Sequence, residues 1–457
     1  MNSVLADRCW HRLCRSTGVS ALAASALLTL AWVGPAWAAG SVERTVSVMP
    51  EFPPATTYGS TMSRIDDPRS HYRPYQAIPL DASAPPEVLL QSLWLTEGGR
   101  NAYSPELVPA LRNLGAAYFA DGDYPDAIAT FGRAIHLLRV NEGLHTHGQT
   151  GMVEQIIEAH IATGDYIAAD DQHDYLYRIR KANLSPSDPE MVASVEHIAD
   201  WHRAAYLGQL DRYRYPRLVK LFDVYGEMAD AVEEEQGGKT RAMLPYLEGK
   251  LRTEYMLSVY PGEKEEGLQI EAGQRDDIAL PDLTKMRFKA LEKSNYRNGL
   301  RSIYSMQEVL ENAPDATPRE RADVQVKLGD WYQWHRRFAQ AIRAYEEAWE
   351  MMAEEAGGES WRQANFSAPL ELPPQVVFQP GRMPLRLYHQ AEVRARFRVT
   401  RHGQAQEIEI LSPGSEENQP AVTRGFKYLR DMRFRPLLEN GAVVASGGME
   451  RTYNIRY

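Results

Sequence analysis

The sequence predicts a mainly α protein, an α-solenoid of helical hairpins followed by a small α+β domain. Three observations carry that prediction. From about residue 105 apolar positions recur at i, i+4 and i+7, and parts of the chain repeat at an interval of 42 residues. Near the end, "AEVRARFRVTRHGQAQEIEIL" (Ala391–Leu411) alternates apolar and polar residues as a strand does. At 457 residues the chain is also too long for one hydrophobic core, so it divides.

Residues 1–38 read as a cleaved signal peptide. Arg8, Arg12 and Arg15 precede the apolar run "GVSALAASALLTLAWVG", and Ala36-Trp37-Ala38 offers small residues to a signal peptidase. An uncleaved helix kept as an anchor is the alternative, because the run is nearly long enough to span a bilayer. Both cysteines, Cys9 and Cys14, fall in this segment, so the mature chain is expected to have no disulfide and no thiol chemistry. Removing three Arg and Asp7, a net +2, takes the charge from −10 to −12. An acidic chain without a basic run is poorly suited to nucleic acid or anionic lipid. Residues 39–86, with "EFPPATTYGS" and "ASAPPE", have no sustained period and read as an extended or disordered arm.

Residues 87–358 read as the helical repeat domain. "GDYPDAIATFGRAI" from Gly122 and "GDYIAADDQHDYL" from Gly164 share Gly-Asp-Tyr-x-x-Ala, and Tyr124 and Tyr166, like Tyr296 and Phe338, stand 42 apart. A hairpin of that length cannot bury its own apolar face, so neighbours must stack. Leu114, Tyr118, Ala127, Phe131 and Ala134 should face each other across Gly122, with Gly115 and Ala127 small enough for close approach. Ser104-Pro105, Asp188-Pro189 and Thr317-Pro318 mark helix starts, the last with Glu320 completing a capping box. "YPGEKEEGLQIEAGQRDD" (Tyr260–Asp277) reads as a charged, solvated insertion.

These repeats resemble the tetratricopeptide family. "LGAAYFADGDYPDAIATFGRAI" (Leu114–Ile135) and "LGDWYQWHRRFAQAIRAYEEA" (Leu328–Ala348) carry its signature positions, and residues 187–313 diverge from it. The resemblance implies five or six hairpins forming a superhelix whose concave face binds protein segments. The inner-face positions include Ala116, Glu158 and Asp330. They do not match the Lys/Asn set by which some members hold a terminal carboxylate, and they point to neutral or basic segments. Trp334 is a further candidate to face the groove.

Residues 359–382, rich in proline, read as a linker to a last domain at 383–457. There Val393, Ala395, Phe397 and Val399 share one strand face and Arg394, Arg396 and Arg398 the other. A two-residue turn at His402-Gly403 would pair Phe397 with Ile408 and Ala395 with Ile410, and Arg398 with Glu407 and Arg396 with Glu409. So paired, the arginine row is a solvated sheet face. A helix through "PAVTRGFKYLRDM", then "RFRP", "ENGAVVA" and the strand "ERTYNIRY" follow. This β-β-α-β order resembles the TonB C-terminal domain, which implies a periplasmic module that grips an extended peptide of outer-membrane transporters at its sheet edge. By that resemblance Tyr453 and Ile455 are candidates to lie near the edge. The chain departs from the energy-transducer pattern in its cleavable leader without a His on the apolar run, and in its helical middle.

No catalytic, cofactor-binding or metal-ligating constellation is expected. "GGKT" (Gly237–Thr240) lacks the earlier glycine of a phosphate loop, Glu233 standing there, and His145-Thr146-His147 has no third ligand. The expected function is a periplasmic, non-enzymatic adaptor with no cofactor, binding protein or peptide partners such as outer-membrane or envelope proteins. It would have no stable membrane anchor once the leader is cleaved. The solenoid groove would bind one partner and the terminal sheet would capture an extended segment by β-augmentation. The alternatives are a TonB-type energy transducer anchored by an uncleaved N-terminal helix, and an enzyme with its site in 187–313.

Overall fold

The computed structural model describes residues 62–64, 74–79, 85–98, 102–208, 214–260, 282–373, 390–412 and 418–456. The leader, most of the arm and of the charged insertion, residues 374–382 of the linker, and Pro413-Gly414 lie outside them. In chain order β1 (Met62–Arg64) comes first, then α1 (Pro86–Glu97), α2 (Val108–Asp121), α3 (Tyr124–Glu142) and α4 (Thr150–Thr163). Next are α5 (Tyr166–Asn183), α6 (Pro189–Gly208), α7 (Tyr215–Gln236) and α8 (Leu244–Ser258). Then α9 (Leu283–Asn312), α10 (Pro318–Trp334), α11 (Phe338–Met351) and α12 (Gly358–Phe366) complete the helical part. The protein is mainly helical, with a small C-terminal sheet region.

The Gly-Asp-Tyr repeats are helix stops. Gly122 and Gly164 adopt φ of 79° and 78°, where glycine meets no Cβ penalty. In each case the next residue reaches back one turn: Asp123 N donates to Tyr118 O at 2.9 Å, and Asp165 N to His160 O at 2.8 Å. This is a Schellman closure, and it turns α2 into α3 and α4 into α5. The same closure recurs after α10, where Arg337 N donates to Tyr332 O at 2.8 Å, but the left-handed position is Arg336. Of the three expected starts, Thr317 and Glu320 form the full capping box, Asp188 caps Glu190 N at 2.8 Å, and Ser104 makes no side-chain cap.

From α1 to α11 each helix packs on the next, and four of these contacts set a glycine against an aromatic ring. Gly115 faces the Phe131 ring, Gly249 Tyr225, Gly299 Trp331 and Gly329 Tyr345, in each case where a Cβ would overlap the ring. All four aromatics are buried, and each contributes roughly 2–3 kcal/mol of transfer free energy.

After α12 come β2 (Leu370–Leu372), β3 (Gln390–Val399), β4 (Ala405–Ile410) and α13 (Gln419–Asp431). Short strands β5 (Arg433–Arg435), β6 (Leu437–Glu439) and β7 (Ala442–Val444) lead to β8 (Met449–Arg456). The main sheet is antiparallel in the order β1-β8-β3-β4, while β2 pairs with β5 and β6 with β7. α13 lies across it, Gly425 backing onto Val393 and Ile455.

Two expectations need correction. The stretch 359–382 is not a plain linker: α12 anchors Trp361 Nε1 on Asp323 at 2.7 Å and buries Phe366, and β2 joins β5. The hairpin register holds only in part. Ala395 opposes Ile410 and Arg396 opposes Glu409, but Arg398 opposes Gln406 and Val399 opposes Ala405. A bulge at Glu407, with φ of 54°, absorbs the extra residue, and the loop is Arg401-His402-Gly403 instead of two residues. Docking sets this. Gly403 O accepts from Phe434 N at 2.9 Å and His402 O accepts from Gln333 Nε2 at 2.6 Å, which hold the loop against β5 and α10. The arginine face is solvated as expected, with Arg398–Glu407 at 2.9 Å and Arg396–Glu409 at 3.2 Å.

Candidate functional site

The residues proposed from sequence fall in three places. Glu158, on α4, is 2 % exposed, and its Oε1 accepts the backbone N–H of Tyr75 at 2.8 Å. One turn earlier Gln155 Nε2 donates to Gln76 O at 2.9 Å. An extended stretch of the arm, Pro74–Pro79, is therefore held by its main chain along α4. The Tyr75 ring stacks on His197 of α6, centroids 3.7 Å apart, with His173 of α5 at 6.0 Å. Three residues on, Ile78 packs beside Gly151 of α4.

Electrostatics suit a slot for neutral groups. Burial pushes the Tyr75 hydroxyl well above its ordinary pKa, with Glu154 adding to the rise. Burial, and then the Arg180 guanidinium, pushes His197 down to about 4. His173 is driven well below its usual value by burial and then by His197, so both rings are neutral near pH 7. Beneath them Trp201 stacks on His173 at 4.9 Å, and Asp170 binds Arg217 at 2.6 Å.

Asp330 and Trp334, on α10, do not line an open groove, and that expectation is corrected. Asp330 is 1 % exposed and takes a two-pronged ion pair from Arg435 of β5, at 2.9 and 2.7 Å, plus the Tyr345 hydroxyl at 3.0 Å. Trp334 is buried, donates to Ser258 Oγ at 2.8 Å and carries the Arg433 guanidinium 4.7 Å above its ring. Arg433 also donates to Trp334 O. The basic segment that the carboxylate was expected to favour belongs to the chain itself.

Tyr453 and Ile455 lie on β8, beside the edge strand β1, but both side chains point into the core under α13, and Tyr453 donates to buried Glu371 at 2.7 Å. What β8 presents outward is main chain. On its inner side it pairs with β3, and on its outer side Met62–Arg64 add as an antiparallel strand, Ser63 opposite Asn454.

Other signals resolve into packing. Gly237, with φ of 69°, closes α7, and Lys239 of "GGKT" pairs with Glu308 at 2.5 Å. Among the described residues no group of His, Cys, Asp or Glu has metal-holding spacing, and no helix is long and apolar enough to cross a membrane. Glu254, in the region 187–313, is buried under α9 and raised to about 8 by that burial. Asn295 donates to its carboxylate at 2.6 Å and to its carbonyl at 2.7 Å. A cavity of about 310 Å³ nearby is lined by Lys250, Arg287 and Asn298, with Asp223 pairing Arg287 at 2.9 Å.

The geometry thus comprises a helical slot and a sheet edge, each engaged by main chain. Tyr75, Gln155, His197 and Arg435 were missed from sequence. The available signal was "RPYQAIP", an aromatic and an aliphatic residue three apart between prolines. No known protein-family model matches the chain, and no characterised protein matches it in a sequence search.

Proposed function

We propose that the protein is a non-enzymatic interaction adaptor of the cell envelope, which works by gripping extended segments of other proteins. The observation that carries this reading is the hold on residues 74–79: side chains of α4 bind main-chain atoms while one aromatic ring enters a slot. A surface that grips main chain and reads single side chains is a peptide-binding surface. The β1 strand on the outer side of β8 supports the same reading for the sheet, by strand addition.

In this reading the helices form a tetratricopeptide-like solenoid, supported by the repeated Schellman turns and glycine-to-aromatic contacts. The terminal unit is TonB-like in its hairpin, helix and closing strand. The leader pattern of residues 1–38 supports a periplasmic location. Because Arg433 and Arg435 seat the sheet region on α10, the two surfaces are held at a fixed spacing instead of on a loose tether. A photo-crosslinking side chain at Asn454 tests the reading in intact cells. We expect adducts with envelope proteins; adducts confined to the chain's own residues 62–64 under every growth condition would sink it.

A further inference from the structure

The adaptor surfaces are already filled by one short piece of the same chain. Met62–Arg64 occupy the outer side of β8, and ten residues later Pro74–Pro79 occupy the slot between α4 and α6. The second hold is specific. Glu158 accepts the N–H of Tyr75, Gln155 Nε2 donates a hydrogen bond to the carbonyl of the next residue, His197 stacks on the ring, and Ile78 packs beside Gly151. Pro74 and Pro79 favour extended backbone on both flanks, which lowers the entropy lost on binding.

Resting on the reading above, we propose that this arm is a built-in competitor. The slot's outside ligand is an extended segment carrying an aromatic residue three positions before an aliphatic one, and it enters by displacing Tyr75 and Ile78. The ligand class follows from what the slot holds. Main-chain groups at the aromatic residue and its successor are read by Glu158 and Gln155, whatever the side chains. The stacking partner His197 accepts any flat ring, and the position beside Gly151 accepts a branched aliphatic. The two contacts lie on one arm, so each keeps the other at a local concentration of roughly mM. Release of either one therefore loosens the other.

The test uses the full chain and a labelled decapeptide spanning residues 72–81, followed by fluorescence anisotropy. We expect Tyr75→Ala to bind the peptide at least tenfold more tightly than wild type, because the competitor has lost its anchor. Adding Glu158→Ala to that variant should remove most of the gain. A peptide with Ala at the tyrosine position should bind at least tenfold more weakly, and one with Phe should bind normally. Ser63→Pro with Arg64→Pro removes the N–H groups of two adjacent β1 residues, one of which must face β8 because they alternate. This variant should tighten slot binding severalfold; no change would overturn the coupling of the two contacts.

Equal, tight binding by wild type and Tyr75→Ala would overturn the competitor while leaving the peptide-binding reading intact. Binding by neither would overturn both. A wild-type dimer that falls apart on Tyr75→Ala in sedimentation would overturn the intramolecular assignment in favour of a second copy's arm.

Discussion

Arg336 holds the left-handed position that glycine holds at the two homologous turns, with φ of 60°. A side chain there costs about 1 kcal/mol relative to glycine. Arg336→Gly should therefore raise stability by up to ~1 kcal/mol in a urea melt; a loss would show that the guanidinium makes a compensating contact. Glu254 makes a second, opposite statement about cost. Its folded pKa, about 8, lies above the ordinary carboxylate value, so the folded state holds a proton that the unfolded state releases. The stabilising effect of that proton is complete below about pH 4.5 and is lost as pH rises toward 8, at up to about 1.4 kcal/mol per unit. Lys250 and Arg301 moderate it by favouring the anion. Glu254→Gln should leave the melting temperature at pH 5 unchanged and raise it at pH 8. Equal pH profiles for the two proteins would mean that the carboxyl is ionised in the fold.

At the scale of elements, the junction of α10 with β5 is decided by a buried ion pair. Burying two charges is costly, and their mutual attraction with added hydrogen bonds offsets that cost only while both remain. Asp330→Ala strands Arg435 inside the protein and should destabilise by roughly 3–5 kcal/mol. Asp330→Leu combined with Arg435→Met should recover most of that loss. A double variant as unstable as the single one, measured by denaturant unfolding, would show that the geometry of the pair and not its charge matters. The hairpin β3–β4 teaches a related lesson. The register read from sequence satisfies both faces but holds only at Ala395–Ile410 and Arg396–Glu409: the loop docks on Phe434 and Gln333 and has three residues, with Glu407 bulging to absorb the shift.

For the whole molecule, the sheet region behaves as a fixture of the helical part. Leu438 shares a core with Tyr345, Trp361 and Phe366, Arg435 enters beneath α10, and β2 leaves the helices to pair with β5. Truncation at Pro373 would uncover Asp330, Gln333 and Trp334 and leave β2 unpaired. We expect the helices of that fragment to melt at least about 5 °C below the intact chain, since one kcal/mol shifts a domain of this size by about 2–4 °C. An unchanged melting temperature would mean a tethered domain, and the fixed spacing of the two surfaces would be lost as an argument.

The helices, their Gly-Asp stops, the capping box at Thr317 and the alternating terminal strand were legible in the order of residues alone. Each of these depends on residues within a few positions, where backbone φ, capping oxygens and apolar period act directly. The same reading found Glu158 as an inner-face carboxylate but could not say what it binds. That Tyr75 comes to Glu158, Arg435 to Asp330 and Met62–Arg64 to β8 emerges only in the packed fold. Those pairings join residues 83, 105 and about 390 positions apart, and a single sequence carries no local mark of which distant surface a segment will cover. The energy of such contacts resides in burial and complementary charge between elements, and it exists only once those elements have been packed.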